Sequence, residues 1–248
     1  MQYYLIPIYI LFGVLPSLVW LFYYLKKDLH PEPKKMILKV FLLGGLITIP
    51  VYVLEVTMLG IIGQSQHLSF FALHPLLLKI LEWFFAIALM EELAKYVVVR
   101  ISVFNGPALD EPLDIMLYMV VAALGFAAVE NILYLFAPTG GLSLAAILQT
   151  TLLAAFIRFI GATLLHTLCS ATIGYFWALS SLRNKNKVLL TVMGICLAVF
   201  LHGLYNFSIT TLAIPYSIII PASILVALVV FMLYDFNEIK KVKSICKL

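Results

Sequence analysis

The sequence predicts an all-α polytopic transmembrane helical bundle of about seven spans, and three observations predict it. The 248-residue chain is 64% hydrophobic and only 11% charged, whereas soluble domains carry about 25% charged residues. Apolar runs long enough to cross a hydrocarbon core of about 30 Å recur along it. The polar breaks between them are short, with no linker between soluble domains, no fixed-period repeat and no low-complexity tract. One integral-membrane domain over residues 1–248, with its core at 36–211, is the expected organisation.

Taken in order, the runs fall near 3–25, 36–63, 80–103, 115–137, 156–181, 188–211 and 213–234. The first has no basic residue before it and lysines straight after it, the reverse of a cleaved signal peptide, and is expected to persist as a helix. Segments 64–79 and 138–155 are apolar but short or interrupted by Pro, Gly, Gln and Thr. They read as short interfacial helices on the outer side or as re-entrant pieces covering a cavity, and the span count shifts by one if either crosses.

The net charge of +4 is explained by topology, with no need of a nucleic-acid partner. "KKDLHPEPKK" (26–35), "LRNKNK" (182–187) and "NEIKKVKSICKL" (237–248) hold most of the basic residues. All three belong in the cytoplasm by the positive-inside rule. The expectation is a multi-pass cell-membrane protein, amino terminus outside and carboxyl terminus cytoplasmic. Cys169, Cys196 and Cys246 are too few and scattered for a disulfide framework or a thiolate metal site.

Function is sought in the ionisable residues of these runs, because a charge at the bilayer centre costs about 2.5–3.5 kcal/mol on insertion scales. Glu91, Glu92 and Lys95 lie in the third run, Glu130 and Asn131 in the fourth, His166 in the fifth, His202 and Asn206 in the sixth; Glu55 in the second reads as structural or cavity-lining. With a rise of about 1.5 Å per residue, Glu91, Glu130, His166 and His202 come out roughly 10–16 Å below the outer boundary. One aqueous cavity opening outward is therefore geometrically possible. Lys95, four residues after Glu91 and three after Glu92, reaches either carboxylate and leaves the other over.

Each feature has a plainer reading. Glu92 with Lys95 is also what a structural ion pair looks like, and a single His or Asn is ordinary interhelical hydrogen bonding. The set is more telling, because unrelated bracing gives no reason for the groups to share one depth. Glutamate, histidine and asparagine suit hydrolysis by activated water, with a carboxylate as base and imidazole and amide groups positioning water and stabilising the oxyanion. There is no HExxH, no GxSxG and no pair of intramembrane aspartates, since Asp28, Asp110, Asp114 and Asp235 fall in or beside the cytoplasmic loops.

"EELAK", "FAAVEN", "HTLCS" and "HGLYN" follow one another on successive runs, and this order resembles the PrsW family of intramembrane proteases, within the superfamily of CAAX prenyl-protein endopeptidases and bacteriocin-processing proteins. "DLHPEPKK" is similar to that family's PEP-containing loop, so the likeness extends over about 26–207. The resemblance implies that Glu91 and Glu92 form the catalytic acidic pair, with Glu130, His166 and His202 completing the site. CAAX endopeptidases carry histidine at the position of Glu130 and arginine near Lys95, so the likeness is to the PrsW branch and prenylated substrates are not implied. It does imply a single-pass membrane protein as substrate, typically an anti-sigma factor cut on its extracytoplasmic side at site 1.

In the expected mechanism Glu91 activates water, Lys95 pairs with Glu92, and His166 or His202 with Asn206 holds the water and the oxyanion. Asn131 supports the site, and Glu130 shares the water or binds a metal. If zinc is present, His166, His202 and Glu130 are its expected ligands; the reading taken is glutamate-activated water with no required metal. A proton-coupled transporter or channel, and a non-enzymatic immunity or scaffold protein of the same superfamily, are the rival readings.

Overall fold

A computed structural model describes residues 5–26, 31–104, 106, 109, 111–136, 143–182 and 186–239, the last five by their backbone alone. The expected helix start at 3–4, residues 27–30, Asp110, 138–142, 183–185 and the tail 240–248 with Cys246 lie outside the described residues. The elements are α1 (Ile6–Leu25), α2 (Lys34–Ser65), α3 (Ser69–Leu73), α4 (Pro75–Ile80), a π-helical stretch (Leu81–Leu89), α5 (Met90–Ser102), α6 (Pro112–Leu135), α7 (Leu144–Ile160), α8 (Ala162–Leu182), α9 (Lys187–Thr211) and α10 (Tyr216–Ile239). Helices are the expected solution, because in hydrocarbon every backbone group needs a partner within its own segment.

Among the described residues, six stretches are long and apolar enough to cross a membrane, with α7 and α8 counted together as one. The expected run at 80–103 is helical as α4, the π stretch and α5 over 75–102, but its charges, Lys79, Glu82, Glu91, Glu92, Lys95 and Arg100, keep it out of these six. Of the two outer segments, 64–79 holds the end of α2, the short α3 and the start of this third span.

The fifth span needs correction. It was placed at 156–181, but the helix breaks at Gly161. Residues 156–160 end α7, which packs along α1, Trp20 donating from Nε1 to the Phe159 carbonyl at 3.1 Å. A Cβ at Gly161 would collide with the Tyr205 hydroxyl. In an unbroken apolar run, a single glycine is all the sequence offers to mark this break.

α6 is the central helix, with nearly all its residues buried among α1, α2 and α8. It approaches α2 at Gly44 and Gly125, where a Cβ on either would strike a backbone carbonyl of the other helix. Small residues at such crossings let membrane helices pack by close van der Waals contact. Thr48 on α2 donates to the carbonyls of Gly44 at 3.2 Å and Phe126 at 3.3 Å, tying the crossing together. Glu32, between Pro31 and Pro33, is buried and accepts from the Tyr118 hydroxyl of α6. This contact anchors the PEP loop to the central helix.

Candidate active site

The π stretch ends at Leu89, two residues before Glu91. Such wide turns are rare in helices and often occur at functional sites. From here α5 directs Glu91, Glu92 and Lys95 into the bundle, all buried, with Glu92 and Lys95 at 0% exposure. α6 supplies Glu130, α8 His166 and α9 His202, so the expected meeting of four spans occurs. The depth assigned to His166 counted from residue 156, yet His166 still reaches the cluster from the first turns of α8, just past the Gly161 break.

Lys95 is the hub. Its Nζ donates to Glu92 Oε1 at 2.8 Å and Glu91 Oε2 at 3.4 Å, and lies 2.7 Å from His166 Nδ1. An ammonium has only protons to give, so His166 Nδ1 accepts, and the ring's proton sits on Nε2. That Nε2 donates to Glu130 Oε2 at 2.7 Å. Glu130 is held from its other side by Arg158 Nη2, 2.9 Å from Oε1. Glu92 accepts from Ser170 at 3.1 Å and is 2.9 Å from His202 Nδ1. Because the carboxylate can only accept, Nδ1 carries the His202 proton and the Nε2 lone pair is left bare.

That lone pair faces Glu91. Glu91 Oε2 lies 4.0 Å from His202 Nε2 and 3.5 Å from His166 Nδ1. Glu91 and Glu130 line an open cavity of about 780 Å³, with Glu55, Trp83, Arg158 and Asn206 among its other walls. The cavity volume is within the usual range of ligand pockets, about 300–1,000 Å³.

A divalent metal can be tested against this geometry. Glu91, His166 and His202 each offer one ligand atom, all within 4.8 Å of one another. The far nitrogen of each imidazole is hydrogen-bonded to a carboxylate, Glu130 behind His166 and Glu92 behind His202, as is usual for metal-binding histidines. The set fits an ion such as zinc. The carboxylate of this group is Glu91, where the sequence reading expects Glu130; Glu130 is bonded to the opposite ring nitrogen of His166. An ion and the Lys95 ammonium compete for the His166 Nδ1 lone pair.

Two expected residues stand apart. Asn206 lines the cavity one turn from His202 and has no side-chain hydrogen bond to the acids among the described residues. Asn131 donates to Gly13 at 3.3 Å and Thr163 at 3.0 Å and accepts from Arg158, so it acts on the site only through Arg158. Arg158 itself was missed, because the misplaced span boundary put it at a helix end. The signal was a lone arginine in "AAFIRFIGA". Ser170 was missed too, one turn after His166 on the same face.

Fold and site together define an all-α membrane protein with a buried cluster of carboxylates, imidazoles and a lysine beside an open cavity. The description "PrsW family intramembrane metalloprotease" matches residues 32–234, and the chain belongs to this family of membrane peptidases. It is 28% identical to Protease PrsW of Oceanobacillus iheyensis over 214 residues, 84% of this chain and 88% of that one. It is 29% identical to the protein of that name from Geobacillus kaustophilus over 197 residues, 78% of this chain and 76% of the relative. For Bacillus subtilis the figures are 28% over 207 residues, 81% and 82%. No solved structure matches.

Proposed function

We propose that this peptidase cuts a membrane-anchored, single-pass protein within or just below the outer leaflet, with Glu91 as the base that activates water. The observation that supports it most directly is Glu91 Oε2 on the cavity wall, 3.5 Å from one imidazole nitrogen and 4.0 Å from the other. A water between Glu91 and His202 gives one O–H to the carboxylate and the other to Nε2, leaving its lone pairs for the scissile carbonyl carbon. Glu91 takes the first proton as the C–O bond forms, and the Asn206 amide, opening on the same cavity, donates to the oxyanion. Glu91 then passes its proton to the amide nitrogen, the C–N bond breaks, and an acid and an amine leave.

Lys95 donates to Glu92, and Glu92 in turn accepts from His202 Nδ1 and fixes its tautomer. Glu130 and Arg158 do the same for His166. A divalent ion would be held by Glu91, His166 and His202, in place of the hydrogen bonds by which Glu91 and His202 otherwise hold the water. A bound ion would supply Lewis-acid polarisation of the carbonyl and a more acidic water.

The relatives' printed names support proteolysis. An anti-sigma factor cut at site 1 is the family-type substrate. The proposed orientation is supported by the basic residues at one end of the bundle, where Lys39 reaches the Ser102 carbonyl at 3.4 Å and Lys187 starts α9. That end faces the cytoplasm, with the amino terminus outside and the whole chain acting as one membrane domain. Co-expression with tagged single-pass proteins tests the reading: wild type cleaves and Glu91→Gln does not, with membrane insertion intact. Normal cleavage by both Glu91→Gln and His202→Ala would sink it, and a proton current lost in Glu91→Gln would favour transport.

A further inference from the structure

Among the described residues, four buried side-chain polar atoms lack a hydrogen-bond partner: Ser17 Oγ, Glu55 Oε1, Trp83 Nε1 and Arg158 Nη2. Three of the four belong to residues lining the cavity beside Glu91. Arg158 Nη2, though not aligned for a hydrogen bond, keeps its ion pair with Glu130 at 2.9 Å. Glu55 Oε1 and Trp83 Nε1 have no hydrogen-bond partner among the described residues, although the Glu55 carboxyl is also within hydrogen-bonding reach of Glu91. A buried polar atom without a partner is costly, so two on one cavity mark a place where an occupant, water in the resting site and substrate in its turn, makes the missing bonds.

We propose that Glu55 Oε1 and Trp83 Nε1 form a substrate-backbone clamp, an acceptor and a donor that hold an unwound peptide segment in the cavity next to Glu91. The proposal rests on the protease reading and adds what the substrate must look like when bound. A transmembrane helix satisfies its own N–H and C=O groups, and it must unwind for water to reach a scissile carbonyl. Unwinding frees amide donors and acceptors in a place with little water. Glu55 accepts a freed N–H, and the indole N–H of Trp83 donates to a freed carbonyl.

Other occupants match less well. An acyl chain has no hydrogen bonds to make. A metal gains nothing from an indole N–H, which is a donor only. The positions also suit an extended chain. Trp83, Ile87 and Glu91 recur every four residues along one wall, while Thr48, Tyr52 and Glu55 of α2 line another. Trp83 precedes Glu91 by eight residues, roughly 12 Å along an α-helix and less through π turns. Extended peptide covers about 3.3–3.6 Å per residue, so Trp83 meets the substrate about three residues from the cut bond. Both are positioning residues.

The test uses the full chain in lipid nanodiscs with a fluorogenic transmembrane peptide. Trp83→Phe keeps the ring and removes the N–H; Glu55→Met keeps the bulk and removes the acceptor. Each should raise KM about tenfold with the melting temperature unchanged, Trp83→Phe keeping kcat within twofold, while Glu55→Gln, which retains an acceptor, recovers most of the loss. Replacing one substrate amide by an ester removes its N–H, and at the right position this should weaken wild type about tenfold and Glu55→Met no further. Unchanged KM in both variants, or a fall in kcat alone, overturns the clamp. If wild type cuts no peptide, the protease reading fails separately. The clamp is then scored by peptide binding to Glu91→Gln protein, where a tenfold loss on adding Trp83→Phe supports it and unchanged affinity overturns it.

Discussion

Lys95 Nζ and His166 Nδ1, 71 positions apart in the chain, are 2.7 Å from each other in the middle of the bundle. This contact links two acid–imidazole pairs, Glu92 with His202 and Glu130 with His166, whose rings also pack edge to face with centroids 5.0 Å apart. It also fixes the His166 tautomer, and with it the direction of the hydrogen bond to Glu130.

Removing the hub should therefore cost stability as well as activity. Lys95→Met leaves Glu92 buried with only Ser170 and His202, and breaking a buried pair from one side costs about 3–5 kcal/mol. The unfolding midpoint in detergent should fall sharply. The double variant Glu92→Gln with Lys95→Met should recover much of that loss while staying inactive. A midpoint for Lys95→Met equal to wild type would show that the ion pair contributes nothing to folding.

Removing the proposed base should do the opposite. Glu91→Gln retains shape and hydrogen-bonding capacity, so the midpoint should hold while cleavage of a tethered single-pass reporter drops by about 10²–10⁴-fold, the usual range for general-base loss. Comparable cleavage by the variant and wild type would move the base elsewhere.

The donor set of Glu91, His166 and His202 predicts about one zinc per chain, measurable by elemental analysis of purified protein, since three ligands are the usual protein complement of a catalytic zinc. His202→Ala should purify with little zinc. Chelation should stop wild-type cleavage and added zinc restore it. Full activity after exhaustive chelation would leave the carboxylate and imidazoles working without an ion.

Arg158 touches no proposed reacting atom, yet it holds Glu130 behind His166. Arg158→Leu should lower cleavage by about 10–100-fold, as losses behind a ligand typically do. Asn131→Leu should do so more weakly, since it acts through Arg158. Wild-type rates in Arg158→Leu would mean that Glu130 needs no cation to orient the imidazole.

At the α2–α6 crossing, Gly125→Ala places a methyl against the Phe41 carbonyl. Overpacking of this kind costs about 1–3 kcal/mol, to be read as a lower unfolding midpoint. Gly60, with open space around it, accepts the same change freely.

Much of this was legible in the sequence. Hydropathy marks the spans because a bilayer demands about 20 apolar residues per crossing whatever their neighbours. Charge placed where lipid should be singles out Glu91, Glu92, Lys95, Glu130, His166 and His202 for the same reason. The three-and-four spacing of "EELAK" already pairs Lys95 with both glutamates. Those are local rules, and the chain alone determined them.

Tertiary structure decided the rest. Gly161 breaks a helix where the Tyr205 hydroxyl leaves no room for a Cβ, and no hydropathy value carries that. The carboxylate that faces both imidazoles is Glu91, because Glu130 approaches His166 from the other ring nitrogen. Arg158, Ser170, Glu55 and Trp83 acquire their places only when α2, α7, α8 and the π turns close on one cavity. Such choices depend on the relative rotation of helices distant in sequence, which packing sets and residue spacing within a single helix does not encode.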